Sequence, residues 1–273
     1  MLGEVKIWSA VGGETDTLTV GWLQMDIHWE APNENIAFLE KLWPQVAAQA
    51  QVWVLPEMWA TGFSVSERAA ETEPGPAFIA MQTWAKTYDI LLIGSLKVQT
   101  SDGHLYNRAY AVSPTGAWDY YDKRHLFRMA GEEKLFTAGT HRLITLYKGW
   151  RIAILICYDL RFAVWSRRTD AFDYEVLIYV ANWPAIRSAH WEKLLPARAI
   201  ENQAYVLGVN RVGTDATGKA YIGKSALYSP LGEPLLSSGE SQGPARATIH
   251  KKSLHTYRER FPAWMDGDLF YFA

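Results

Sequence analysis

The chain contains a single cysteine, Cys157, among 273 residues, and that scarcity excludes two architectures at once. One thiol closes no intrachain disulfide and builds no cysteine-rich zinc site. The seven histidines are scattered, with no pair at metal-ligand spacing on one predicted helix, so a metal cofactor is not expected. An excess of one charge is lacking too: 27 basic and 29 acidic side chains mix along the whole length to a formal charge of -2. No basic cluster could track a phosphate backbone, and nucleic acid is not an expected partner. No apolar run nears the roughly 20 residues that span a bilayer. The opening MLGEVKIWSAVGGETDT carries acidic residues where a secretory signal has a basic flank and a continuous apolar core. A cytoplasmic chain without membrane contact is the expectation. The sequence also lacks G-x-G-x-x-G, the usual support for dinucleotide-dependent chemistry, and nucleotide-dependent chemistry is not expected. Serine-hydrolase chemistry is not expected either.

Apolar side chains are plentiful, at 49% of the residues against 21% charged, enough for a sizeable core. Runs rich in β-branched residues alternate with helix-like segments through the first half. TLTVGWLQMDI reads as a strand, NENIAFLEKLWPQVAAQA as an amphipathic helix opened by an Asn cap, and VWVLPE as a short buried strand. GPAFIAMQTWAKTYD predicts a second helix and ILLIGSLKVQ a third strand. LYNRAYAVSPTGAWDYYDK predicts two strands joined by a Ser-Pro-Thr-Gly turn, and from Arg124 to Gly139 no period survives. RIAILIC then reads as a buried strand, LRFAVWSRRTDAF as a helix, YEVLIYVAN as a strand, SAHWEKLLPARAIENQ as a helix kinked at Pro196, and AYVLGVNRVG as a strand. AYIGKSALYSP, EPLLSS and ARATIHKK complete the strands, before an aromatic tail from Leu254 to Ala273. Most of these strands are too apolar to keep one face in water. Two sheets packed face to face, each covered outside by helices, would bury them, in a single four-layer α/β domain.

Three strand ends carry a polar residue where the chain leaves an apolar run: Glu57 after VWVLP, Lys123 after WDYYD, and Cys157 after RIAILI. Sites of α/β proteins collect at carboxyl ends of strands, where backbone groups are free and loops vary without disturbing the core. Taken singly, each has a plain structural reading: a core thiol, a helix-capping or surface carboxylate, a solvated lysine. Together they supply what amide hydrolysis needs. A thiol of pKa about 8.5 requires a base or a nearby cation to become a nucleophile. A carboxylate can take its proton and pass it to the leaving amine, and a fixed ammonium can stabilise the oxyanion. His125, two residues beyond Lys123, leaves a Cys-His pair as the rival arrangement.

The segments LPEMWATGF, YYDKRHLF and ICYDLRF, in that order, resemble the nitrilase superfamily of carbon-nitrogen hydrolases, with NWP and ARAIENQ in support. The likeness runs from about Thr17 to Lys251. It implies an α-β-β-α sandwich over residues 17–273, with 1–16 as an N-terminal extension, a homodimer formed through one helical face, and a cofactor-free mechanism through a thioester. It carries Glu57 over as general base, Lys123 as oxyanion stabiliser, Cys157 as nucleophile, the Tyr158 N–H as second oxyanion donor, and Glu132 as a further carboxylate, with Glu133 as its alternative. Asp159 and Arg161 read as structural, a cap and an ion-pairing guanidinium, and Arg198 and Glu201 as a helix-borne scaffold pair. The wording PEMWATGFS, DKRHLFRMAGE and CYDLRFAVWSRR is most similar to the omega-amidase branch, whose substrates are 2-oxoglutaramate and 2-oxosuccinamate. Such a small-molecule substrate needs a cation for its carboxylate. Arg128 and Arg187 are the candidates, with Trp59, Phe127 and Trp183 as pocket walls. A nitrilase, an N-carbamoyl amidase and a non-catalytic scaffold remain the alternatives.

Overall fold

Alternation along the strands decides the layering. In Thr17–Gln24, Leu18, Val20 and Trp22 enter one apolar cluster while Leu23 enters another. In Val52–Val54 the same split separates Val52 and Val54 from Trp53, and in Leu91–Gln99 it separates Leu91 and Ile93 from Leu92, Leu96 and Val98. Successive side chains of a strand point to opposite faces, so these strands are buried on both sides. A computed structural model, which describes residues 3–10, 12–268 and 270–272, shows what covers each face.

The first sheet runs, in spatial order, Gly243–His250, Thr17–Gln24, Val52–Val54, Leu91–Gln99, Leu105–Val112 and Trp118–Asp122, with Glu71–Thr72 pairing beside Leu91–Gln99. The second runs Glu4–Ser9, His141–Tyr147, Trp150–Ile156, Val176–Ala181, Tyr205–Asn210, Ala226–Tyr228 and Pro234–Ser237. Helices Pro32–Val46 and Pro76–Tyr88 cover the outer face of the first sheet, where Trp43 meets Trp53 at 5.6 Å and Trp84 meets Trp59 at 5.7 Å between ring centroids. Helix Ser188–Asn202 covers the second. It lies so close that a Cβ at Gly208 would stand 2.4 Å from Leu195 and 2.6 Å from Trp191. The inner faces of both sheets share one large cluster. The architecture is the α-β-β-α sandwich.

Local details depart from the reading of the sequence. The first helix begins at Pro32 rather than at an Asn cap, because a proline in the first turn presets φ and loses no needed N–H. LRFAVWSRRTDAF is not a helix. It keeps one helical turn, Ala163–Ser166, preceded by a 3-10 turn over Cys157–Arg161. Its helical ladder is interrupted where the Tyr174 hydroxyl donates to the Ser166 carbonyl and the Arg168 N–H donates to the Asn202 side chain. The aromatic tail opens with a further helix, Lys251–Arg260. Two unanticipated strands, Glu4–Ser9 and His141–Tyr147, pair parallel at the edge of the second sheet.

The sequence also contains two strings that match loops of other enzyme classes, and the fold disqualifies both. G-x-x-x-x-G-K-S over residues 218–225 lies in the antiparallel hairpin Val212–Thr214/Ala220–Ile222 and leads into a strand, whereas a phosphate-binding loop leads into a helix. G-x-S-x-G over residues 239–243 is a turn between strands Pro234–Ser237 and Gly243–His250, with Ser241 exposed to solvent.

Candidate active site

Strands Val52–Val54, Trp150–Ile156 and Val176–Ala181 each run parallel to a neighbour, and their carboxyl ends deliver Glu57, Cys157 and Asn182 to one place. Lys123 comes from the end of Trp118–Asp122 in the first sheet. Cys157 makes the change from strand to 3-10 turn in a single residue, with φ of 42°. That left-handed conformation is costly for a residue with a Cβ, and such strain gathers at functional positions.

The Lys123 ammonium is buried between two carboxylates. Its Nζ donates to Glu57 Oε1 at 2.9 Å and to Glu132 at 3.1 and 3.0 Å. Burial opposes the charge, but Glu132 and Glu57 outweigh it and hold the Lys123 pKa above its ordinary value. Glu57 is fixed on three sides: its Oε1 also accepts from Asn107 Nδ2 at 2.8 Å, and its Oε2 accepts from the Asn182 N–H at 2.7 Å. Asn107 in turn accepts from Ser95 Oγ at 3.0 Å. Glu132 accepts the Phe127 N–H at 2.6 Å. Burial pushes the Glu132 carboxyl up, against the pull of Lys123. Glu132, not Glu133, is the carboxylate on the lysine. The half-buried Cys157 thiol is pushed well above its ordinary pKa by desolvation first and by the Glu57 carboxylate second. The site thus holds a protonated thiol, a carboxylate beside it and a fixed ammonium.

The pocket above this cluster is walled by Phe63, Phe127, Tyr158 and Trp183, with Arg161, Arg187, Lys219 and Tyr221 contributing polar groups. Two expected members are elsewhere. Trp59 is fully buried behind the first sheet against Trp84, because the turn after Val52–Val54 that carries it packs its ring into the outer core rather than the pocket. Arg128 projects to solvent from the turn Arg128–Ala130 and does not line the pocket. The guanidinium that does, besides Arg187, is Arg161. It lies 4.7 Å from the Trp183 ring centroid and contacts His190 Nδ1 at 3.1 Å. Desolvation and the neighbouring Arg187 lower its pKa. Arg187 rests over the Phe127 ring at 5.2 Å. Arg198 and Glu201 form an ion pair at 3.0 Å, and Arg198 also donates to the Leu160 carbonyl.

Reading the sequence missed Asn107, Ser95, Phe63, Lys219 and Tyr221. Asn107 had a signal: an amide inside a buried strand demands partners. The hairpin residues had none, since their place over the pocket depends on tertiary contacts such as Arg211 with Asp26 at 2.6 Å.

Residues 19–259 match the family model described as carbon-nitrogen hydrolase. The omega-amidase YafV of Escherichia coli (strain K12) is 42% identical over 255 residues, which are 93% of this chain and 98% of that protein. A 2-oxoglutaramate amidase of Bacillus subtilis (strain 168) is 32% identical over 251 residues, 91% and 96% of the two chains. The solved structure of XC1258 from Xanthomonas campestris, a CN-hydrolase superfamily protein with an arsenic adduct in its active site, matches with a TM-score of 0.91 at 38% identity. The match covers 95% of this chain and 100% of that one. Nit3 of Saccharomyces cerevisiae, a nitrilase-superfamily member, shares the fold at a TM-score of 0.82 and 20% identity, over 93% and 97% of the chains. Family model, close relatives and fold agree over nearly the whole length, and this chain belongs to the carbon-nitrogen hydrolase family.

Proposed function

We propose that this enzyme hydrolyses the terminal amide of a short oxo-dicarboxylate monoamide, 2-oxoglutaramate or 2-oxosuccinamate, to the dicarboxylate and ammonia through a thioester on Cys157. One observation carries the reading. A single pocket joins the Cys157, Glu57 and Lys123 cluster to two guanidiniums, Arg161 and Arg187, for which no acidic ion-pair partner stands among the described residues. The names of the relatives, omega-amidase and 2-oxoglutaramate amidase, support the same substrate class.

The chemistry follows from the resting protonation state. As Cys157 Sγ bonds to the amide carbon, the thiol proton passes to Glu57 and the carbonyl electron pair moves onto oxygen. That oxyanion faces the Lys123 ammonium and the Tyr158 N–H, which lies in the first turn of a short helix where backbone donors have no intrahelical acceptor. Glu132 acts through Lys123, gripping the ammonium so that it does not swing away between turnovers. The intermediate collapses as Glu57 returns the proton to the leaving nitrogen, the C–N bond breaks and ammonia departs. Water then attacks the thioester carbon, its proton goes to Glu57, and the C–S bond breaks with reprotonation of sulfur.

Ammonia release tests the reading: fast from 2-oxoglutaramate, slow from glutamine and absent from an aliphatic nitrile. Equal turnover of the nitrile would move the assignment to a nitrilase, and preference for a carbamoyl amino acid would move it to an N-carbamoyl amidase. No turnover and no trapped thioester would revive a scaffold role. Cys157→Ala should remain folded and lose hydrolysis. We also read the outer face of helix Ser188–Asn202, where Ile200 is exposed beside the exposed Leu231 loop, as the contact of a homodimer. A monomer by sedimentation would reject that assignment.

A further inference from the structure

Lys123 and Cys157 belong to different sheets, so the distance between the ammonium and the sulfur depends on something that ties the two strand ends together. Glu57 joins Lys123 to Asn182, and a second carboxylate ties the lysine's own strand to the turn of the nucleophile. Asp159 is fully buried on the turn that carries the nucleophile. Its Oδ2 accepts the N–H of Ile156, the residue before Cys157, at 3.0 Å, and the hydroxyl of Tyr121 at 2.7 Å. Its Oδ1 accepts the N–H of His125 at 2.9 Å and lies 2.8 Å from His125 Nδ1. Tyr121 and His125 flank Lys123 by two residues on either side. The bridge is braced in turn, since the Tyr121 hydroxyl accepts from Trp165 Nε1 at 3.0 Å and from the Arg124 N–H at 3.1 Å. Asp159 does not line the pocket, so it does not touch a substrate there.

We propose that Asp159 is a positioning residue that sets the oxyanion donors, Lys123 Nζ and the Tyr158 N–H, at their working separation from Cys157. The inference rests on the roles proposed above for these residues and goes beyond them, giving the capping carboxylate a task in the reaction. The physical reason is stiffness. A buried carboxylate with four polar contacts has little freedom, and charge-assisted hydrogen bonds in a low-dielectric interior are short and strong. Oxyanion stabilisation needs donors held within roughly 0.5 Å of their productive positions. Loosening the bridge therefore damages the step in which charge develops on oxygen more than it damages the sulfur itself.

The test is Asp159→Asn, because an amide offers one acceptor oxygen and would turn its NH₂ toward donors on one side of the bridge. In the folded variant, kcat on 2-oxoglutaramate should fall at least about tenfold with KM within about twofold. Cys157 should still react with methyl methanethiosulfonate within about threefold of the parent rate, since that exchange passes through no oxyanion. If Asp159→Asn does not fold, Tyr121→Phe removes one arm of the bridge and should lower kcat severalfold, again with KM unchanged. A kcat within about twofold of the parent, a rise in KM instead, or parallel loss of kcat and methanethiosulfonate reactivity overturns the proposal. Cys157→Ala, run alongside, separates this failure from that of the amidase reading. Its retained turnover would remove both, whereas an inactive Cys157→Ala beside a normal Asp159→Asn removes only the positioning role.

Discussion

Glu57 and His125 are the two residues that could serve as base for the thiol, and their surroundings separate them. The Glu57 carboxylate lines the pocket, held by Lys123, Asn107 and Asn182. The His125 ring lies stacked on Phe162, with centroids 3.8 Å apart, and its Nδ1 contacts Asp159. Glu57→Gln should therefore lose about 10²–10⁴ in kcat, the span of general acid-base catalysis, while His125→Ala, which removes one arm of the Asp159 bridge and keeps the main-chain N–H on Asp159, should fall no more than severalfold. The reverse order, read from steady-state kinetics, would make this a Cys-His enzyme. Lys123→Met should cost about 10²–10³ in rate through the lost oxyanion donor. It should also cost stability, because Glu57 and Glu132 would be left buried without their cation, and breaking a buried pair costs about 3–5 kcal/mol. Lys123→Met with Glu132→Gln should regain thermal stability and none of the rate. Recovery of rate in that double variant would show that Lys123 does not act on the oxyanion. At this scale Glu57 and Cys157 stood out because each follows an apolar run with a polar side chain, whereas Lys123 follows the half-exposed WDYYD and stood out only through the likeness of YYDKRHLF to the family. Arg161 was misread, since a guanidinium four residues beyond the nucleophile looks the same in sequence whether it pairs with an acid or faces a pocket.

At the scale of elements, helix Pro76–Tyr88 shows how a cap can come from outside its own sequence signal. Its N-cap, Gly75, offers no side chain, and the carboxylate of Glu71 instead accepts the N–H groups of Ala77 at 2.8 Å and Phe78 at 3.0 Å. Burial pushes the Glu71 pKa up to about 7 from the usual 4.5, outweighing those two donors. A folded-state pKa above the unfolded value gives stability that is full below pH 4.5 and is lost as the pH rises through 7. The stability of the parent relative to Glu71→Gln should therefore be greater at pH 4.5 than at pH 7.5. Equal differences in melting temperature at the two pH values would show that Glu71 titrates normally. Elements with one clean period were readable: the strand Leu91–Gln99 and the helix Pro76–Tyr88 appear within a residue or so of expectation. LRFAVWSRRTDAF was not, because Tyr174 and Asn202 take its polar backbone groups from a distance. Strands Glu4–Ser9 and His141–Tyr147 were missed for different reasons. Glu4–Ser9 is a mostly exposed edge strand whose order depends on its partner, while HRLITLY carries an apolar run of its own that the reading passed over beside the aperiodic loop before it.

The pocket exists only at the scale of the whole molecule. Lys123 and Phe63 come from the first sheet and its loops, Cys157, Arg161, Trp183 and Arg187 from the second, and Lys219 and Tyr221 from the hairpin Val212–Thr214/Ala220–Ile222. Four-layer packing could be argued from strands too apolar for water, but which loops converge above the thiol could not, and Arg128 was therefore chosen where Arg161 lines the site. The convergence bears on specificity. Desolvation first and the neighbouring Arg187 second lower the Arg161 pKa, a cost of bringing two guanidiniums to one pocket that an incoming carboxylate relieves. A neutral substrate fills the same volume and leaves that cost in place. For 2-oxoglutaramate against its methyl ester, and against an aliphatic amide of the same length, kcat/KM should favour the anion at least about a hundredfold, roughly 2.7 kcal/mol of differential transition-state binding. Arg161→Ala and Arg187→Ala should each shrink that ratio while leaving the slow neutral amide nearly unaffected, and Arg128→Ala, altering an exposed side chain outside the pocket, should leave it unchanged. Equal rates for the acid and its ester would remove carboxylate recognition. Loss of discrimination in Arg128→Ala alone would mean that the turn Arg128–Ala130 folds over the bound substrate and supplies the clamp itself.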